Sequence, residues 1–377
     1  MLVIQLQQIG DTVIFTPTLR ALRKRFASCR IDVLANPASA QLYRGSPNVD
    51  RLTISRGWNA GGVAGRARAM LTLVRALRRE RYDCVICDVT EQSFAYTLLA
   101  YLTGAPVRVG FDIADRGFLH TLRVPFDPGL PYVLCNLAIA SALGADDADP
   151  REDIPLSDAD RHGAEAKLVA AGIGEKDSIA VMHPGSNWQS KTWYPARWAG
   201  VADALADRYG HRIVFVGTTA EAGMVEAARS KMRGASATLV GATTLGELAA
   251  VITKAAIFVG TDSGPRNIAG ALGVPTVTVM SAQEDTDRWR GVRAGEIVLR
   301  ADARCTGCYY AFCAHRLCMD VIGVPDVMNA VDAAHRAGRT GAPRLETIPV
   351  PLRVYAEVAG CADADRATLR RLAKTPK

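Results

Sequence analysis

Short apolar runs alternate with helix-like stretches along the whole chain, and the alternation breaks near the middle and then restarts. Apolar runs without polar alternation suit strands buried on both faces, as in a parallel sheet. In the first half they fall at Leu2–Leu6, Ile31–Leu34, Tyr82–Asp88 and Val107–Phe111. After the break they fall at Ile179–His183, Arg212–Gly217, Thr238–Val240, Ile257–Gly260 and Thr276–Met280. Repeated strand-then-helix order implies right-handed crossovers and an α/β, doubly wound architecture. A length of 377 residues fits two such domains better than one.

The break lies at 145–160, where GADDADPREDIPLSDAD is acidic, proline-containing and poor in large apolar residues. It divides the chain into an N-terminal domain at 1–155 and a C-terminal domain at 156–345, with a last helix and basic tail at 346–377. Two α/β domains facing each other form a cleft, the usual home of a ligand. The first helix is expected to start at TPTLRALRKRF, with Thr16 as its cap and Pro17 in its first turn. A second spans 65–79, with Met70, Leu73, Val74 and Leu77 on one face and Arg68, Arg75, Arg78 and Arg79 on the rest. Further helices are expected at 195–209, 220–233, 245–254 and 265–272. Cys84 and Cys87 point to opposite faces of their strand, one expected in the core and one at the surface.

A hydrophobic content of 49% excludes a disordered chain. No run approaches the roughly 18–20 apolar residues that span a bilayer. Met1 leads straight into a strand without a basic leader, so a cytoplasmic location is expected. There nine cysteines are thiols or metal ligands rather than a disulfide framework. The net charge of +7 is concentrated: eight arginines and one acid lie from Arg51 to Arg81. That suggests an anionic partner, a phosphorylated substrate or a lipid surface, unless it is only a solvated helix face. No nucleic-acid partner is expected.

Four constellations carry chemistry. Asp262-Ser263-Gly264-Pro265-Arg266-Asn267 sits where a buried strand gives way to a helix. Gly264 lets backbone come close to a ligand, Pro265 is preset for the first helical turn, and the free N–H groups favour a phosphate. Arg266 is expected to add a charge-assisted contact to the same anion. The second, His183 to Trp193 (HPGSNWQSKTW), offers Gly185 and Ser186 as backbone contacts and Lys191 as a point charge for a departing diphosphate. G-x-x-x-x-G-K-[ST] and G-x-G-x-x-G are both absent, so neither a P-loop ATPase nor a standard dinucleotide binder is indicated.

The third is Gly10-Asp11, a carboxylate just after the first strand. It reads either as a base for an attacking hydroxyl or as a helix cap. The fourth is Cys305, Cys308, Cys313 and Cys318, with His315 nearby. By count it resembles a zinc or cluster site, but it lacks the paired CxxC…CxxC spacing of a zinc ribbon, so free thiols or a structural metal such as zinc, rather than a redox centre, are expected.

Three stretches together resemble a family: IGDTVIFTPTLRALR at 9–23, HPG with the lysine and tryptophan at 183–193, and FVGTDSGPRNIAGALGVPT at 258–276. They resemble the bacterial heptosyltransferases, glycosyltransferase family 9, over about 1–335. The cysteine cluster before the last helices also occurs in many members. The resemblance implies a GT-B fold and metal-independent, inverting transfer of a heptose or related sugar. It implies an ADP-sugar donor held mainly by the C-terminal domain, with no other cofactor. The acceptor implied is an anionic glycolipid such as the lipopolysaccharide inner core, with peripheral contact at the cytoplasmic face of the inner membrane. By the same resemblance Asp11 is the base and Lys191 lies near the diphosphate, preceded by Gly185 and Ser186. Glu221 meets the ribose, Thr243 or Thr244 borders the base pocket, and Asp262, Ser263 and Gly264 hold the donor sugar and phosphate. Many members have histidine where this chain has Asn267, a residue that hydrogen-bonds without carrying charge. A family member acting on a small molecule or another surface glycan, a GT-B-like epimerase and a non-catalytic nucleotide-sugar binder are the competing readings.

Overall fold

The computed structural model describes residues 1–350 apart from 56–62, 91–92, 285, 290–291 and 339–341. The first half runs β1 (Leu2–Gln5), α1 (Ile9–Arg25), β2 (Asp32–Ala35), α2 (Ala40–Tyr43), β3 (Arg51–Ile54) and α3 (Val63–Arg79). It continues through β4 (Cys84–Cys87), α4 (Phe94–Leu102), β5 (Val107–Phe111), β6 (Leu122–Val124) and α5 (Tyr132–Ala142). Its strands form a six-stranded sheet in the order β3-β2-β1-β4-β5-β6, parallel at every pairing.

The second half begins with α6 (Asp158–Ala170), β7 (Ile179–His183), α7 (Pro195–Tyr209), β8 (Arg212–Phe215), α8 (Ala222–Arg229) and β9 (Ser236–Thr238). It proceeds through α9 (Leu245–Thr253), β10 (Ala255–Thr261), α10 (Gly264–Ala271), β11 (Thr276–Met280) and α11 (Thr286–Trp289). It ends with β12 (Glu296–Asp302), α12 (Leu317–Asp320), α13 (Val324–Ala337) and β13 (Arg344–Pro349). These strands build a seven-stranded parallel sheet in the order β13-β12-β11-β10-β7-β8-β9.

Each sheet reverses its strand order once, between β1 and β4 in the first and between β7 and β10 in the second. Ligands of open α/β sheets settle outside the carboxyl ends of the strands at such reversals. Helices cover both faces of both sheets, giving separate apolar cores on either side. That corrects the expectation for one thiol: Cys84 packs into one core of the first sheet and Cys87 into the other, so both are buried.

Helix α3 keeps its expected faces. Val74 and Leu77 are buried and Met70 and Leu73 half-buried against the sheet, while Arg68, Arg75, Arg78 and Arg79 are exposed. Helix α1 departs from expectation by starting at Ile9, which puts Pro17 in its interior. Proline has no N–H for the carbonyl four residues back, and the Thr16 hydroxyl donates to that Val13 carbonyl at 2.8 Å instead. Thr16 is therefore not a cap, and Gly10-Asp11 lies in the first turn of a helix rather than in a loop.

The segment 143–157 between α5 and α6 joins the halves and is tied to both. Arg20 of α1 donates to the Asp149 and Arg151 carbonyls at 2.7 and 2.6 Å, and Thr16 Oγ1 accepts from Asp153 N–H at 2.9 Å. From the other half, Arg293 forms a buried ion pair with Glu152. At the far end, β13 crosses the expected limit at 345 and adds an edge strand to the second sheet. The basic tail expected beyond it falls in 351–377, outside the described residues.

Candidate active site

The carboxyl ends of the two sheets face each other across a cavity of about 700 Å³. Gln7 to Asp11 line it from the end of β1, and His183, Ser186, Asn187, Trp188 and Lys191 from the loop after β7. Gly217 to Thr219, Glu221, Gly241, Thr243 and Thr244 enter after β8 and β9. Asp262 to Pro265 and Asn267 follow β10, and Glu284 and Trp289 follow β11. The three sequence stretches thus meet in one place.

Helices α1 and α10 pack against each other beside this cavity, with small residues at the contact. A Cβ on Gly10 would stand 2.8 Å from Asn267 Nδ2, and one on Gly264 would stand 2.9 Å from Ile9 Cβ. Gly264 therefore permits close approach of the other domain. At the start of α10 the Ser263 side chain makes no cap; its Oγ bonds His183 Nδ1 at 3.0 Å. Asn267 donates to the Ser263 carbonyl at 3.1 Å and is almost fully buried.

Lys191 lies between two carboxylates, 2.9 Å from Asp262 Oδ2 and 2.8 Å from Glu284 Oε1. Burial alone would weaken the ammonium, but the charges of Asp262 and Glu284 outweigh it and raise the Lys191 pKa. Burial opposes the charge on Asp262 too, and Lys191 with Arg266 overcomes it, lowering that carboxyl. Glu284 is raised, first by burial and then by Asp262 beside it.

Arg266 does not reach the cavity. It is fully buried, ion-paired with Glu296 Oε1 at 2.6 Å and donating to the Trp289 carbonyl at 2.8 Å. The phosphate contact expected of it is corrected: a buried carboxylate at the start of β12 requires a counter-charge, and Arg266 supplies it. Beyond it, Glu296 Oε2 stands 3.9 Å from Arg293, which holds Glu152 of the interdomain segment. Asp262 is 3.8 Å from Arg266. A row of opposite charges thus runs from Lys191 to the segment joining the domains.

Glu221 sits in a turn at Thr219–Glu221 ahead of α8. Its Oε2 accepts from Thr218 N–H and Oγ–H at 2.7 and 2.8 Å, and Oε1 lies 3.3 Å from His183 Nε2. Burial would raise this carboxyl, but the contacts with His183 and Thr218 hold it down at about 2. Gly185 is glycine because a Cβ would run into this carboxylate; it backs the wall and does not line it. Thr243 and Thr244 line the far rim, where the Thr244 hydroxyl caps α9 by accepting from Glu247 N–H at 3.2 Å.

Asp11 takes part in the helix start, as the third residue of a capping box whose N-cap is Gln8. Its Oδ2 accepts from Gln8 N–H at 2.8 Å, closing the first turn of α1, and it lines the cavity opposite Lys191. Burial lifts its pKa to about 6, partly offset by hydrogen bonds from Gln8 and Thr90. A carboxylate near neutrality in a cleft is suited to taking a proton.

Cys305, Cys308, Cys313 and Cys318 lie near enough for their charges to act on one another: after burial, the neighbouring thiols help to raise Cys305 and Cys318. Among the described residues no three His, Cys, Asp or Glu side chains converge as a metal would require. Cys305 is exposed, Cys318 is packed in the core, and Cys313 Sγ accepts from Arg316 N–H at 3.3 Å.

The family model described as glycosyltransferase family 9 (heptosyltransferase) matches residues 70–317. The chain belongs to glycosyltransferase family 9. As a family 9 enzyme it is a glycosyltransferase, similar to lipopolysaccharide heptosyltransferase 3 of Escherichia coli. The two are 26% identical over 285 residues, 73% of this chain and 81% of that protein. Among solved structures, the family 9 glycosyltransferase of Veillonella parvula superposes with a TM-score of 0.76 at 22% identity, covering 89% of this chain and 97% of that one. The E. coli heptosyltransferase WaaC with ADP-2-deoxy-2-fluoro heptose gives 0.60 at 21% identity, covering 82% and 97%. The architecture of this family 9 chain is accordingly the GT-B fold. Among its described residues no helix is long and apolar enough to cross a membrane.

Several residues at the cavity of this family 9 enzyme carried no sequence signal. Glu284 and Trp289 follow β11 in a stretch without phosphate-loop character, and His183 and Trp188 read as framing for Lys191. Strand position was the available clue, since each follows a strand of the second sheet at its carboxyl end.

Proposed function

We propose that the enzyme transfers a heptose, with inversion and without a metal, from ADP-heptose to a hydroxyl of an anionic glycolipid of the lipopolysaccharide inner-core kind. The observation that carries this reading is the placement of Asp11, near neutrality, across one cavity from Lys191 and the start of α10. The family, the lipopolysaccharide heptosyltransferases it resembles and the ADP-sugar in the WaaC structure support the donor and acceptor classes.

In this reading Asp11 removes the acceptor proton as the acceptor oxygen bonds the anomeric carbon. The bond to the diphosphate breaks on the opposite face and ADP leaves with the electron pair. Lys191 and the N-terminal amides of α10 steady the charge on the diphosphate, with Ser186, Ser263 and Gly264 beside it. Asp262 holds Lys191 in place, and Glu221 stands where the ribose lies. Thr243, Thr244 and Leu248 border the base, and Asn267 offers a neutral hydrogen bond to the sugar. The exposed arginines of α3 support an anionic acceptor, and in this reading the enzyme meets it at the cytoplasmic face of the inner membrane.

The test is release of ADP from ADP-heptose with and without a lipopolysaccharide inner-core acceptor, in EDTA, with the product's anomeric configuration read by NMR. ADP released only with acceptor, and inverted product, supports the reading. Binding of ADP-heptose with no release under either condition makes the protein a nucleotide-sugar binder. Transfer to a small molecule alone overturns the acceptor assignment, and inactivation by EDTA overturns metal independence.

A further inference from the structure

One ammonium at the cavity wall answers two carboxylates. Lys191 Nζ lies 2.9 Å from Asp262 Oδ2 and 2.8 Å from Glu284 Oε1, where the proposed reading brings the donor diphosphate. Two carboxylates around one ammonium leave a net negative charge, so a diphosphate drawn to Lys191 is repelled by both. One of them has to give way.

The two are not held alike. Asp262 directly follows β10, its side chain is 8% exposed, and Arg266 stands behind it at 3.8 Å. Glu284 stands in the loop between β11 and α11, is 18% exposed, and among the described residues has Lys191 as its only ion-pair partner. The backbone before it is pinned, because the Ala282 and Gln283 carbonyls accept from Gly307 and Tyr309 N–H at 2.8 and 2.9 Å. The Glu284 side chain is therefore the part free to turn. Lys191 keeps its place without it, between Asp262 and the Trp188 ring, whose centroid is 5.6 Å from Nζ.

We propose that Glu284 is a displaceable counter-ion that holds Lys191 until the donor arrives, yields it to the diphosphate, and returns to it to help ADP leave. The proposal rests on Lys191 meeting the diphosphate. Glu284 gives way by turning toward the cavity or by taking a proton, and burial and the charge of Asp262 already favour its protonated form. The charged and titratable groups facing it are Lys191 from the turn after β7, Asp262 from the end of β10, and Asp11 of α1 across the cleft. Ionised at high pH, Glu284 competes for Lys191. Protonated at low pH it does not, so the hindrance fades as pH falls.

Calorimetric titration with ADP from pH 5 to 8 compares wild type with Glu284→Gln, which keeps the shape of the side chain without its charge. The variant is expected to bind ADP ~10-fold more tightly at pH 8, with the two enzymes converging toward pH 5. The ratio of their affinities cancels the ionisation of ADP itself. Glu284→Ala is expected to gain likewise, and the gain to appear as slower ADP release in stopped flow. Equal or weaker binding by both variants at pH 8 overturns the proposal. So does a gain of one size at every pH, which would come from shape and not from charge. Lys191→Ala is the control. If it binds ADP as wild type does, the diphosphate reading of Lys191 itself fails, whereas weaker binding there beside wild-type affinity in Glu284→Gln removes only the displaceable counter-ion.

Discussion

Asp11 and Asp262 are two buried aspartates at corresponding places, each following a strand at the reversal point of its sheet and opening on the same cavity. Their surroundings drive them apart. Asp262 has Lys191 at 2.9 Å and Arg266 at 3.8 Å, and stays ionised. Asp11 is met by the Gln8 amide and the Thr90 hydroxyl, and burial takes it to about 6. Neutral donors offset burial only in part, while cations reverse it. In the proposed reading the difference separates the labour of the two domains: the first handles a proton, the second holds a charge in place for an anion.

The strongest way to break the comparison is Asp11→Asn, which is expected to lower kcat by ~10²–10⁴ with little change in donor affinity. Near-normal turnover would show that the raised carboxylate is incidental. Lys191→Ala should come next, with kcat/KM down ~10²–10³ and weaker ADP binding by calorimetry. If both are unchanged, Lys191 serves only its two carboxylates.

The pH profile sharpens the same contrast. Asp11 acts when ionised, so kcat/KM is expected to fall about tenfold per pH unit below about 6. A flat profile from pH 5 to 7 would detach Asp11 from the rate. Stability should run the other way. A carboxyl raised on folding from 3.8 to about 6 destabilises the folded ionised form by up to ~3 kcal/mol. This penalty is absent below the unfolded value, grows as pH rises, and is complete above about 6. Asp11→Asn keeps an acceptor for Gln8 and should therefore be more stable than wild type at pH 7.5 and equal to it near pH 3.5, as urea unfolding at each pH would reveal.

The smallest effect concerns the surface. Replacing Arg68, Arg75 and Arg79 with glutamine should weaken binding to anionic vesicles by ~1 kcal/mol per arginine, an effect that fades with salt. Binding indifferent to salt would remove α3 from any electrostatic role.

Much of the fold was legible because the strands are uniformly apolar and Gly and Pro mark the turns after them; β7, α7 and β11 fall where the pattern put them. The start of α1 was not, because Thr16-Pro17 imitates a helix start, and only the Val13 carbonyl left free by Pro17 explains how the helix continues. Strand β13 has the mixed exposure of an edge and lacks an apolar run. In the site, the loop at 262–267 announced itself through its residue types. Arg266 was misjudged because its partner, Glu296, lies thirty positions on and only the pairing of β11 with β12 brings it close.

The row from Lys191 through Asp262, Arg266, Glu296 and Arg293 to Glu152 has a further consequence, for how such a sequence can drift. Each interior member answers the sign of its neighbours, so removing one leaves an uncompensated charge away from water, whereas exchanging a whole pair for apolar residues can be nearly neutral. Substitutions along this row are therefore expected to arrive in couples, Glu152 changing with Arg293 and Arg266 with Glu296. The segment that joins the domains is thereby tied, as lineages diverge, to Lys191 at the wall of the cavity.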